Sequence, residues 1–150
     1  MIIHKLNPIT NDDDFDLIAI HSSIEIYQIA YLINCKFNSK FIKSKRDIVL
    51  SKEEAVFDKY EWEKTQKENT WFLFSNKFMI QKKTYENNLL FNSTNILQLF
   101  LINEHKNVDF FIKKNKDELT IPVINSINLI SEISTAYKIK NRLKTPLIFD

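Results

Sequence analysis

The sequence predicts an α+β fold: one domain over residues 1–150, a mostly antiparallel β-sheet with two helices packed on one face. Three observations lead there. Short apolar or alternating runs recur between polar turns, the pattern of strands joined by hairpins. Helical periodicity appears in only two places, after Ser22 and after Pro122. No Pro/Ser-rich linker and no internal repeat divides the chain. At 150 residues and 44% hydrophobic content the chain can build a core without covalent staples, burying about two-thirds of the surface its unfolded form exposes.

Taken in order, Asp12, Asp13 and Asp14 form a solvated turn before Phe15-Asp16-Leu17-Ile18-Ala19-Ile20, a largely buried strand. Ser22-Ser23-Ile24-Glu25 has capping-box spacing, a serine oxygen taking an orphan N–H while Glu25 reaches back. The helix that follows places Ile26, Ala30, Ile33 and Phe37 on one face, and Tyr27, Ile29, Tyr31 and Leu32 broaden it. So wide a stripe suits burial between the sheet and another layer. Residues 41–50 alternate as a half-exposed strand. Residues 55–63 and 70–75 form an antiparallel hairpin about a polar turn at 64–69. Residues 78–83 make a further short strand, and Asn87, Asn88, Asn92, Ser93, Thr94 and Asn95 mark a loop. Residues 96–102 and 108–113 then pair as a hairpin. Pro122 opens a second helix carrying Val123, Ile127 and Ile130. Residues 134–140 are the last strand, before an apolar tail of Leu147, Ile148 and Phe149.

Basic and acidic residues nearly cancel, 21 against 19, so a net charge of +2 exerts no strong pull on nucleic acid or anionic lipid. A lone cysteine, Cys35, has no internal disulfide partner, which fits a reducing cytoplasm. No apolar run approaches the ~20 residues of a membrane span. His4, Lys5 and Asn7 interrupt the apolar start, against a signal peptide. The expected location is cytoplasmic, with no membrane partner.

The chain contains no glycine. That excludes phosphate-cradling P-loops, dinucleotide fingerprints, nucleophile elbows and the glycine-bearing RNA-recognition signatures. Asn and Asp must take the tight turns instead. One Cys and three scattered histidines, His4, His21 and His105, provide no structural metal site, and no cofactor is expected.

Three residues remain as functional candidates: His21, Glu104 and Asp109. His21 ends the first strand just before the capped helix, where a general base or ligand contact could sit; the plainer reading is a polar junction residue. Ser22 and Ser23 read as caps, not nucleophiles. Glu104 and Asp109 flank a polar turn and could bind a cation or share a proton. The favoured alternative is structural, with Asp109 accepting backbone N–H groups and Glu104 pairing with Lys106. Lys113, Lys114 and Lys116, with Lys43, Lys45 and Arg46, read as a solvated face rather than a nucleic-acid platform, because Asp47, Asp117 and Glu118 interrupt them. Trp62 and Trp71 read as core.

The nine residues Ile102-Asn103-Glu104-His105-Lys106-Asn107-Val108-Asp109-Phe110 resemble the signature of the IPExxxVDY family of Bacteroidetes. Similar segments are Asp16-Leu17-Ile18-Ala19-Ile20-His21-Ser22 with Ala30-Tyr31-Leu32, Trp71-Phe72-Leu73-Phe74-Ser75-Asn76-Lys77, and Thr135-Ala136-Tyr137-Lys138-Ile139. Asn103 stands where the family has proline, and Phe110 where it has tyrosine. The resemblance implies a fold and a compartment but no activity.

The leading expectation is therefore a non-enzymatic cytoplasmic interaction module, binding a protein partner or itself through a sheet face or edge. The rivals are a small enzyme or ligand-binding protein using His21, Glu104 and Asp109, and weak RNA binding through the Lys113–Lys116 region, with nucleic acid the less favoured partner.

Overall fold

A computed structural model describes residues 15–50, 55–64, 69–85, 92–140, 143–145 and 147. Its spine is a six-stranded, wholly antiparallel sheet in the order β10-β1-β9-β6-β5-β2. The strands are β1 (Phe15–Ser22), β2 (Ile42–Lys43), β5 (Lys59–Glu63), β6 (Thr70–Ser75), β9 (Phe110–Asn115) and β10 (Ile133–Lys138). Two more antiparallel pairs form ladders of their own: β3 (Ile48–Leu50) with β4 (Ala55–Phe57), and β7 (Lys77–Tyr85) with β8 (Asn92–Phe100). The helices are α1 (Ile26–Phe37) and α2 (Thr120–Ile127). The expected α+β architecture is what forms, with both helices on one face.

Strand alternation sends side chains to opposite faces, and here both faces are covered. On the helix side, Ile18 and Ile20 of β1, Leu73 and Trp71 of β6, and Ile112 of β9 meet Ile26, Ile29, Ala30 and Ile33 of α1 and Val123, Ile124 and Ile127 of α2. On the other side, Leu17, Ala19, Phe74 and Phe111 meet Ala55 and Phe57 of β4, Leu101, Ile102, Val108 and Leu147. This explains why residues 17–20 are all apolar: β1 is buried on both sides. Ile18 and Ile20 are fully buried, each such side chain contributing roughly 1.5–3 kcal/mol.

Helix α1 buries a narrower stripe than its sequence suggests. Ile26, Ile29, Ala30 and Ile33 face the sheet, while Tyr27 and Tyr31 are exposed, because no layer lies over that side among the described residues. Its cap also shifts. Glu25, not a serine, is the N-cap, and its N–H donates to Gln28 Oε1 at 3.0 Å. Ser22 Oγ instead donates to Glu132 O at 2.7 Å and accepts the Ile24 N–H at 3.4 Å. The helix ends at Asn38, in the left-handed region at φ 57°, where a glycine-free chain must use asparagine. Asn34 stitches the following turn, its Oδ1 accepting the Phe41 N–H and its Nδ2 donating to Phe41 O. In α2, Pro122 is the third helical residue, within the turn whose N–H groups have no intrahelical partner.

Several expectations change. Residues 41–50 form two short strands, β2 and β3, not one. The hairpin of residues 55–63 with 70–75 survives as β5–β6, but 55–57 separate as β4 and pair with β3. The loop expected at Asn92, Ser93, Thr94 and Asn95 is the first half of β8. The hairpin expected between 96–102 and 108–113 does not form: β8 pairs with β7, and β9 lies between β1 and β6. Residues in β9 and β1 are apolar on both sides, so nonlocal pairing there covers more surface than a local hairpin would. His4, the turn at Asp12 to Asp14, Asn87, Asn88, Ile148 and Phe149 lie outside the described residues, as do residues 65–68 of the polar turn. No helix among the described residues is long and apolar enough to cross a membrane.

Candidate functional site

Strands β6 and β9 pair up to Ser75–Phe110, and β7 and β8 pair from Lys77–Phe100 onward. The four strands therefore make one long ribbon, interrupted where the single residue Asn76 faces residues 101–109. The signature-like segment is this interruption. Unpaired backbone inside a ladder needs other partners, and Asn76 supplies them. Its N–H donates to Asp109 O at 3.0 Å and its C=O accepts the Leu101 N–H at 2.9 Å. Its side-chain Nδ2 donates to His105 O at 2.8 Å and to Val108 O at 3.0 Å, and Oδ1 accepts the Ile102 N–H at 2.7 Å. The residue is fully buried. Both amide donors, the amide oxygen and both backbone groups are used.

The rest of the loop follows from that staple. Residues Asn103–His105 form one 3-10 turn, with the His105 N–H on Ile102 O. Asn103 opens this turn, a position whose N–H needs no helical partner and which suits proline equally well. Leu101, Ile102 and Val108 are buried among the phenylalanines, and His105 meets Phe111 edge-on at 6.3 Å. Phe110 packs on the helix side, in an apolar setting that asks nothing of a phenolic hydroxyl.

The three candidate residues lie at this same end of the sheet, each bonded to a different partner. Asp109 Oδ2 accepts the Ser22 N–H at 2.9 Å, and Oδ1 pairs with Lys77 Nζ at 2.7 Å. His21 Nε2 is 2.9 Å from Tyr137 Oη, the two rings stacked with centroids 5.5 Å apart. Glu104 does not pair with Lys106. Its Oε2 accepts the N–H groups of Lys144 (2.6 Å) and Thr145 (3.2 Å), and Oε1 accepts the Thr145 hydroxyl at 2.8 Å. Partial burial pushes the Glu104 carboxyl up, but these three donors outweigh it and hold it below the ordinary value. Asp109, just before β9, lies beside the end of β1 that carries His21, whereas Glu104 turns to the tail. The two acids belong to one loop rather than facing each other across a hairpin. Among the described residues, no group of three His, Cys, Asp or Glu side chains could hold a metal ion.

Asn76, Lys77 and Tyr137 also belong to this site, beyond the three sequence candidates. The signal for Asn76 was present: an isolated amide between two apolar strands in a chain with no glycine to relieve the backbone.

Of the expected solvated basic face, Lys43, Lys45, Arg46 and Lys116 are exposed, whereas Lys113 is half-buried and Lys114 is buried. Lys114 is 1% exposed at the far end of β9, its Nζ donating to Asn115 O, Asp117 Oδ1 and Thr120 Oγ1 at 2.7–2.8 Å, 4.9 Å above the Trp71 ring. Thr120 Oγ1 donates in turn to Asp16 Oδ2 at 2.6 Å, and Asp16 meets Lys138 at 3.3 Å. Lys113 lies over Phe15 and Phe72, where burial pushes its ammonium pKa down. Lys43 pairs with Asp47 and Asp58. Charge here serves the interior: the Asp117 carboxyl, pushed up by burial, is held low by Lys114 and the Leu119 N–H.

Comparison of the chain with protein-family models, curated proteins and solved structures returned no match.

Proposed function

We propose that the chain is a non-enzymatic cytoplasmic protein-interaction module whose binding element is the β7–β8 arm. The observation that carries this reading is the arm itself. It leaves the six-stranded sheet at Asn76 and continues for nine pairs, with no third strand beside it among the described residues. At about 3.4 Å per residue it reaches roughly 30 Å. Two-stranded ribbons are marginal alone and gain most from a further strand, and strand addition to an exposed edge is a common mode of protein recognition. Both faces of the main sheet are already covered, so binding through a sheet face is the weaker form of the idea. Met79 and Leu97, 61% and 46% exposed, put apolar surface near the arm's base.

The test is a tagged pull-down of the full chain from native cytoplasm, with nuclease, comparing wild type with Leu97→Lys. Wild type is expected to recover a stoichiometric protein that the variant loses. Equal recovery by both would sink the arm as the binding element.

The rival reading, a ligand site at His21, Glu104 and Asp109, finds less support. Asp109 and Glu104 hold backbone N–H groups of Ser22 and the tail, which favours a structural role. The double variant Glu104→Gln with Asp109→Asn is expected to lose stability and keep the partner. RNA binding draws little from Lys113 and Lys114, which turn inward. Membership of the IPExxxVDY family is part of the proposal: the segments around His21, Asn76, Glu104 and Tyr137 that carry the resemblance meet at one end of the sheet through direct hydrogen bonds.

A further inference from the structure

We infer that the corner between Trp62 and Trp71 is a binding site for a small quaternary ammonium compound, occupied in this structure by the chain's own Lys64. The site lies on the helix side of the sheet, at the end of β6 opposite the β7–β8 arm, and stands independently of that arm.

Trp62 of β5 and Trp71 of β6 are direct cross-strand partners. Their rings meet at 67° with centroids 5.0 Å apart, so two indole faces bound one corner. Lys64 follows Trp62 by two residues and therefore projects from the same side of the chain. Its Nζ lies over both rings, 5.1 Å from the Trp62 centroid and 5.0 Å from the Trp71 centroid. Both distances fall within the reach of about 6 Å at which a cation feels a ring face. The walls are fixed without help from any ligand. Trp71 donates its indole N–H to Asn115 Oδ1 at 3.1 Å, and Phe37 tilts against both indoles at 6.4 Å. Phe41 meets Trp62 edge-on at 5.9 Å. Trp71 is buried, but Trp62 is only half-buried and Lys64 is exposed, so solvent reaches the corner from the Lys64 side.

The ligand class follows from what the corner offers a cation. Among the described residues, Lys64 makes no ion pair and no hydrogen bond, and its ammonium is met by the two ring faces. An ammonium carries three N–H donors and is strongly hydrated, and aromatic faces are poor substitutes for the water it gives up. A quaternary ammonium has no donor to satisfy. Its methyl groups lie against the rings while its charge is attracted by their negative faces. The corner therefore favours a quaternary cation over the lysine that fills it. Two ring faces recognise one such group and nothing more, so the fit is to a compact cation.

The chain's two tryptophans are the two walls, so intrinsic fluorescence reports on the corner directly. The test titrates the full chain with tetramethylammonium chloride and, separately, with ammonium chloride, at constant ionic strength. Tetramethylammonium is expected to give a saturable change that ammonium does not. Lys64→Ser vacates the corner and is expected to tighten tetramethylammonium at least about threefold. Lys106→Ser removes the same charge at the other end of the sheet and is expected to leave the affinity as it was. Trp62→Phe keeps an aromatic wall with a poorer cation face, and is expected to weaken binding severalfold with circular dichroism unchanged. A linear response in wild type and Lys64→Ser alike, or an equal response to ammonium, overturns the site. So does an affinity indifferent to Lys64→Ser or to Trp62→Phe. A gain shared by Lys106→Ser would reduce the effect to net charge and overturn it too.

Discussion

At the scale of single residues, asparagine does here what glycine and backbone pairing do elsewhere. Asn76 satisfies three backbone groups of the 101–109 loop through its side chain alone. Asn128 does the same for β10, its amide accepting the Ala136 N–H at 2.7 Å and donating to Ala136 O at 2.9 Å. Stranding a buried backbone group costs about 1–3 kcal/mol, although relaxation and water entry recover part of that when several are stranded together. Asn76→Ala is therefore expected to lower stability by about 3 kcal/mol in urea denaturation, with the m-value unchanged. Glu104 gives a pH-dependent counterpart. Its carboxyl is held below the ordinary 4.5 by donors present only in the folded chain. Its contribution is therefore present above that value and is lost as pH falls through the lowered folded pKa. Protection of the Lys144 and Thr145 amides, taken relative to their intrinsic exchange rates, is expected to fall on acidification below pH 4.5. Glu104→Gln should show the lowered protection already at neutral pH, and no further acid step.

At the scale of elements, some of the fold was legible and some was not, for identifiable reasons. Residues 17–20 announced a buried strand because both faces of β1 are covered, and residues 26–33 announced a helix because Ile26, Ile29, Ala30 and Ile33 fall on one face over two turns. The β5–β6 hairpin was legible because its pairing is local. The partners of β9 were not, since an apolar run such as Phe110-Phe111-Ile112 suits any neighbour and the choice is made by distant β1. Polar Asn92 to Asn95 gave no strand signal, because their pairing with residues 82–85 supplies the order that composition does not. Of the candidate site, the loop and its two acids were legible, but the staple at Asn76 and the tail docked on Glu104 were not. Lys114 misled for a related reason: its three acceptors come from the β9 end, the following turn and α2, contacts invisible to a charge count. Removing this buried cation takes a donor from Asn115 O, Asp117 Oδ1 and Thr120 Oγ1 and empties the space beside Trp71, so Lys114→Ala is expected to cost about 1–3 kcal/mol in chemical denaturation. A loss under 1 kcal/mol would show the network to be dispensable.

At the scale of the whole molecule, one sheet separates two unlike interiors. Both tryptophans lie on the helix side, Trp62 5.0 Å from Trp71, while the other side is filled by Phe57, Phe74 and Phe111. If the two layers melt as one domain, tryptophan fluorescence and far-ultraviolet circular dichroism should give coincident thermal transitions. Separate midpoints would mean that the layers unfold independently. The interrupted ribbon bears on how such a sheet is assembled in time. Pairing β6 with β9 brings together residues far apart in sequence, and the entropy opposing that closure grows with the length of the loop between them. A hairpin zips within microseconds. Once β7 and β8 have zipped, Asn76 and Leu101 already lie within one hydrogen bond, and the remaining span to Phe110 is the 101–109 loop alone. The arm then acts as a splint, shortening the search before the central strands meet. Asn95→Pro, which blocks the zip without changing chain length, is expected to slow refolding in stopped-flow while leaving the unfolding rate nearly unchanged. An unaltered refolding rate would remove this role.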